Sequence, residues 1–271
     1  MSDKVENYLI GMDCGTTNIK AIILGEDGTI VAEDSRLSKF ICLGPDMQEQ
    51  DANEWWENSV KIFQSLAKQA GKEIMEKVRG ISISSHTVSM LPLDENREPV
   101  YNALTYQDGR SSKELQYIID TIGYDKYVNI IGGQPAVSFL PNKILWFKNN
   151  EPELFKKTRY YAQASSYINM KLTGVLVTDM DQAARTQCLD ANTMKWSDEI
   201  GKVIGVDFDK VMPSIRNIDD IIGTVTKEAA QETGLIEGIP VVAGCSDAMA
   251  SMYATGISRL GDVGESSGTS S

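Results

Sequence analysis

The sequence has one histidine, His86, and four cysteines, Cys14, Cys42, Cys188 and Cys245, none of them at C-x-x-C spacing. That scarcity excludes a structural zinc site and gives no disulfide framework; reduced thiols in a cytoplasmic protein are the expectation. No apolar run reaches membrane-spanning length, and residues 8–12 are too short to be a secretion signal. Positive charge is in deficit, with 26 Lys and Arg against 38 Asp and Glu and a formal net charge of -12. A surface of that sign disfavours nucleic acid and anionic lipid as partners. It leaves a phosphate site open, because a few main-chain amides and one metal ion dominate a pocket locally. There is no G-x-x-x-x-G-K-[ST] run, so the chain is not a P-loop kinase. Internal repeats, low-complexity tracts and long linkers are absent as well.

What is present is enough apolar residue, 42% of 271, to bury a core. The first segment reads as three strands, 8–13, 19–24 and 29–36, joined by two close turns rich in Gly, Asp, Thr and Asn. Two such turns make an antiparallel meander. The period then changes. Asp51 with Glu54 three residues on reads as a capping-box variant, and Trp55, Trp56, Val60, Phe63, Leu66 and Ala67 follow at helical spacing, with Gly71 near the end. Residues 78–84 read as a buried strand. Further helices are expected at 111–122, 142–149, 165–172, 227–233 and 246–255, and a short strand at 240–243.

Three clusters could carry chemistry. The first is Asp13-Cys14-Gly15-Thr16-Thr17-Asn18, at a strand end. Gly15 lets main-chain amides approach an anion, the Thr hydroxyls suit phosphate oxygens, and Asp13 suits Mg²⁺ or a water bound to it. An ordinary hairpin turn uses the same residue types. The second is Gly244-Cys245-Ser246-Asp247, between a strand and a helix. Asp247 there either caps the helix or faces a cleft as a general base. The third is Gly268-Thr269-Ser270, a second phosphate loop or a flexible end.

Taken in order, these clusters resemble the FGGY carbohydrate kinases of the actin/hexokinase ATPase superfamily. The resemblance runs through Gly11-Met12-Asp13-Cys14-Gly15-Thr16-Thr17, then Glu49-Gln50-Asp51 with Trp55-Trp56. It continues with Tyr106-Gln107-Asp108-Gly109-Arg110 (a version of W-x-D-x-R), Lys143-Ile144-Leu145-Trp146 and Leu172-Thr173-Gly174 with Thr178-Asp179. Gly244-Cys245-Ser246-Asp247 and Gly268-Thr269-Ser270 complete it. It implies an α/β fold of the ribonuclease H-like, actin-like ATPase type, with a mixed sheet that starts as an antiparallel three-stranded meander. It implies ATP and Mg²⁺ as cofactors and a small sugar, sugar acid or polyol as substrate. By resemblance Asp247 is the base. Asp13 (the Mg²⁺-associated acid), Gly15, Thr16, Thr17 and Asn18 form the first phosphate loop, and Gly268 and Thr269 the second. His86, Thr87, Tyr106, Asp108 and Asp247 belong to the sugar site, although His86 also reads as structural and Arg110 as an ion-pair partner that simply holds Asp108.

Departures bear on the substrate. Glycerol kinases carry Arg-Glu where this chain has Thr87-Val88, so glycerol is disfavoured. The Q-M-H-G pattern usual in xylulose kinases is missing too, yet a pentulose-type ketose remains the favoured class. The expected organisation is a sugar-binding lobe over 1–256 and the start of a nucleotide-binding lobe at 257–271, inactive by itself. A homodimer of the full-length protein is left open. The alternative is a non-catalytic actin-like module that senses ATP or assembles.

Overall fold

The computed structural model describes residues 5–257 and 259–264. Strands β1 (Tyr8–Cys14), β2 (Asn18–Gly25) and β3 (Ile30–Leu37) pair antiparallel, as the two turns require. On the other edge of β1 lies the parallel strand Val78–Ser85. Pro240–Val242 and Cys245–Ser246 both run parallel to Val78–Ser85, and Ile221–Thr224 closes that edge antiparallel to Pro240–Val242. The result is a mixed sheet of seven strands that begins as an antiparallel meander.

Alternation along β1 and β2 decides which face is covered. Ile10, Met12, Ile19, Ala21 and Ile23 are buried beneath helix α1 (Ala52–Met75), which brings Trp55, Ile62, Phe63 and Leu66 to the same core. The Asp51 carboxylate caps α1 through the Asn53 N–H at 2.9 Å. Glu54 does not complete a capping box. Its carboxylate instead accepts from the Lys39 N–H at 3.2 Å and pairs with the Lys39 ammonium, because the 38–40 segment runs past the helix start. Gly71 does lie near the helix end: it turns to φ 73° and makes a kink, and the helix runs on to Met75.

A second core lies between Val78–Ser85 and Ile221–Thr224 in the chain. It is built on Leu140–Asn150, Ser112–Ile122, Tyr124–Ile131 and Asp198–Ile204, with Tyr127, Ile144, Phe147 and Ile200 at its centre. Several short elements carry no clear period in the sequence, among them Pro152–Lys157 and Met180–Arg185 and, outside this core, the strands Ile41–Gly44 and Met47–Gln50, which form a small sheet with Ala103–Leu104. Among the described residues no helix is long and apolar enough to cross a membrane.

Pro240–Val242 and Cys245–Ser246 share one neighbouring strand because Gly244, at φ 81°, jogs the chain between them. A Cβ at Gly244 would run into the Ile83 carbonyl. Gly244→Ala therefore combines left-handed strain with a main-chain clash and lowers unfolding free energy by at least about 2 kcal/mol. Urea unfolding monitored by circular dichroism measures the loss.

Candidate active site

Three parallel strands end side by side. Asp13 is in register with Ser84 and Ser84 with Cys245; one step on, Cys14 faces Ser85 and Ser85 faces Ser246. From these ends the chain continues as the turn at 15–18, the His86-Thr87 segment and the helix Asp247–Ala254. The carboxyl ends of parallel strands are where open α/β sheets bind ligands, since side chains and loop amides converge there without disturbing the ladder. A cleft of about 740 Å³ opens beside them, on the sheet face not covered by α1. Asp13, Lys20, Ser84, Cys245 and Ala250 are among its lining residues.

The turn at 15–18 is tight. The Gly15 N–H donates to the Asn18 carbonyl at 3.0 Å, and a Cβ on Gly15 would sit 2.8 Å from that oxygen. The Gln50 amide donates to the Thr16 carbonyl at 2.8 Å and the Ser38 N–H to the Thr17 carbonyl at 2.9 Å. This anchoring uses main-chain atoms and does not consume the Thr16 and Thr17 hydroxyls. Thr17 and Asn18 are exposed. The Asp13 carboxylate accepts from the Ser84 hydroxyl at 3.2 Å and lies 3.3 Å from the Lys20 ammonium.

Asp247 is the first residue of its helix, not the cap. Capping falls to Ser246, whose hydroxyl accepts from the Met249 N–H at 3.2 Å. The Asp247 carboxylate accepts from the Ala248 N–H at 2.7 Å. Partial burial lifts its pKa above the ordinary carboxylate range and the Asp13 and Asp181 charges add to this, while the Ala248 hydrogen bond and Arg185 oppose it. The Ser246 N–H is held by Asp181 at 3.1 Å, and Asp181 in turn accepts from Arg185 Nε at 2.8 Å. Neither Asp181 nor Arg185 stood out in the sequence. The one available signal was the second acid in Asp179-Met180-Asp181, two residues past the Thr178-Asp179 pair. Lys20 and Ser84 were missed as well. Period-two alternation would have set both on the outward face with Asp13.

The other named residues are distributed differently. His86 is buried: its Nδ1–H donates to the Cys14 carbonyl at 2.9 Å, its ring meets Trp55 edge-on at 5.6 Å, and desolvation pushes its pKa down to about 4. Thr87 is half-buried, and so is Tyr106, packed against the second core. Asp108 is fully buried. It accepts from the Gln48 N–H at 2.8 Å and from Arg110 Nε at 2.8 Å, while the Arg110 guanidinium also pairs with Glu49 at 2.8 Å and lies over the Trp146 ring at 4.8 Å. Gly268 and Thr269 lie outside the described residues.

Asp13 and Ser84 offer hard oxygen donors only, and among the described residues no group of three or more His, Cys, Asp or Glu is placed to hold a metal. Sparse oxygen ligation suits Mg²⁺, which keeps its waters and takes substrate phosphates as ligands. The amide and hydroxyl groups of Thr16 and Thr17 in the 15–18 turn suit phosphate in the same way.

The family model described as the N-terminal domain of the FGGY family of carbohydrate kinases matches residues 8–254, and the chain belongs to that family. It is 30% identical over 263 residues to a xylulose kinase of Bacillus subtilis, covering 97% of this chain and 52% of that protein. A glycerol kinase of Streptomyces coelicolor is 27% identical over 272 residues, with 97% and 52% covered. Among solved structures, xylulose kinase from Rhodospirillum rubrum superposes with a TM-score of 0.89 at 27% identity, over 94% of this chain and 52% of that one. The chain thus spans about half the length of the relatives it matches.

The Arg110 cluster makes a strong demand on stability. Its guanidinium is the one cation that pairs with both Asp108 and Glu49 among the described residues, and all three side chains are almost completely buried. Arg110→Met leaves two buried carboxylates without that cation, so it costs about 3–5 kcal/mol in chemical unfolding.

Proposed function

We propose that this FGGY-family chain forms the sugar-binding side of an ATP-dependent kinase that moves the γ-phosphate of ATP to a hydroxyl of a small sugar, sugar acid or polyol. The observation that carries this reading is the convergence of Asp13, the 15–18 turn and Asp247 at the ends of three parallel strands. Phosphoryl transfer asks a protein for positioning and charge neutralisation more than for covalent chemistry, and these groups are of the required kinds.

In this reading the Asp247 carboxylate accepts the proton of the attacking hydroxyl. The Asp181 bond to the Ser246 N–H fixes the main chain just ahead of it. The amides and hydroxyls of Thr16 and Thr17 and the side-chain amide of Asn18 hold phosphate oxygens, at a turn that Gly15 makes possible. Asp13, with Ser84 beside it, would hold Mg²⁺, and the ion would supply neutralisation of phosphate charge. Gly268 and Thr269 complete the phosphate contacts. Thr87 and Tyr106 face the sugar, with His86 behind Thr87 and Asp108 setting the loop after Tyr106. A pentulose-type ketose is the favoured acceptor. Thr87-Val88 offers neither the cation nor the carboxylate that glycerol kinases carry there, and xylulose kinases are prominent among the relatives. By itself the chain transfers little or no phosphate, because the relatives that carry the activity are about twice its length.

Asp247→Asn in the full-length protein tests the base. With ATP and D-xylulose, kcat falls at least about 100-fold while the circular dichroism spectrum is unchanged. Undiminished turnover removes Asp247 from the chemistry. The pH profile gives a second check. The base works ionised, and burial raises its pKa, so the acid limb of kcat lies at higher pH than an ordinary aspartate would give.

A further inference from the structure

Lys143 is the one lysine with no exposed surface among the described residues. Its ammonium has no carboxylate within ion-pair distance there and is spent on two main-chain carbonyls, Thr105 at 2.6 Å and Val88 at 3.3 Å. Desolvation pushes its pKa down to about 7, with the Asp108 charge opposing this and Arg110 adding to it. An apolar side chain of the same length would fill the space without a buried charge, so the two carbonyls are what the ammonium is there to reach.

Those carbonyls belong to the two segments that carry Thr87 and Tyr106. The segments pair once, at Met90 and Leu104, through main-chain bonds of 2.9 and 3.0 Å. An antiparallel ladder continued from there would bring Ser89 opposite Thr105 and Val88 opposite Tyr106. It does not continue. Val88 turns to φ 63°, a conformation that β-branched residues strongly avoid, and its N–H is held by Gln163 Oε1 at 3.1 Å. The Lys143 ammonium takes the Val88 carbonyl, which the interrupted ladder leaves open, together with the Thr105 carbonyl, which lies at a position where the ladder would make no bond. It reaches them from the first turn of Leu140–Asn150, a helix whose Leu140 N–H is fastened to the Thr186 carbonyl at 3.1 Å.

We infer that Lys143 is a positioning residue for the acceptor sugar: its ammonium sets how far the Thr87 side and the Tyr106 side of the sugar site stand apart. This rests on the reading that Thr87 and Tyr106 face the sugar. The phosphate-binding side is untouched, since no hydrogen bond of Lys143 reaches the 13–18 segment.

The test is Lys143→Met in the full-length protein, assayed with D-xylulose and ATP, with hydrogen exchange followed in peptides covering 86–90 and 103–108. The KM for xylulose rises at least about tenfold while that for ATP stays within about twofold, since the change separates sugar-side geometry from nucleotide binding. Exchange quickens in those two peptides and not in β1 or β2. If Lys143→Met does not fold, Lys143→Arg keeps a charged donor but spreads it over a fork, and it raises the xylulose KM at least about threefold. A xylulose KM equal to wild type in whichever variant folds overturns the inference. A wild-type protein that phosphorylates no pentulose overturns the proposed substrate instead. Exchange then decides alone, and unchanged protection in both peptides sinks the positioning role.

Discussion

Everything at the candidate site hangs on the parallel pairing around Val78–Ser85. This strand has β1 on one edge, and Pro240–Val242 followed by Cys245–Ser246 on the other. Main-chain pairing on both sides fixes its register, and register fixes which side chains emerge together. Asp13, Ser84 and Cys245 therefore lie in one row although 71 and 161 residues separate them along the chain. The jog at Gly244 is the local condition for this. Without a residue that tolerates φ 81° against the Ile83 carbonyl, the second short strand would not reach its place beside Ser84 and Asp247 would not begin its helix there.

The molecule uses buried and half-buried charge in two ways. Arg110, Asp108 and Glu49 are saturated by one another and by Gln48, Tyr101 and Asn102, so their electrostatic capacity is spent inside the protein. Asp13 and Asp247 keep theirs. Asp13 meets a lysine that is largely solvent-exposed, and Asp247 takes a single N–H from its neighbour. Half-buried, under-bonded carboxylates at the ends of parallel strands are suited to a metal-bound water or a substrate proton. Fully bonded ones hold loops, and Asp108 does this for the segment after Tyr106.

The opening of the fold was legible in the sequence. Close turns between apolar runs gave the meander, and its strands fall within two residues of the expected ends because Gly25 and Gly28 leave little choice of turn. The helix Lys227–Thr233 was legible for a similar reason, with Thr226 as cap and Gly234 at φ 74° as stop. The short elements of the second core were not. Pro152–Lys157 and Met180–Arg185 span six residues each, too few for a period to show, and tertiary contacts rather than propensity hold them. The Glu54 capping box failed likewise: a lysine from another segment outcompeted the local partner.

By itself the sequence determined the kinds of chemistry available: carboxylates, hydroxyls and glycine-permitted amides, with a single histidine and no thiol cluster. It also placed Asp13 and Asp247 at strand ends, because turn residues and helix caps are local signals. Only the tertiary structure decided which of these groups meet. Strand pairing is a long-range choice that no local spacing encodes. Through it Asp13, Ser84 and the start of the Asp247 helix converge, Asp181 comes to hold the Ser246 amide, and Lys143 comes to lie between the Val88 and Thr105 carbonyls.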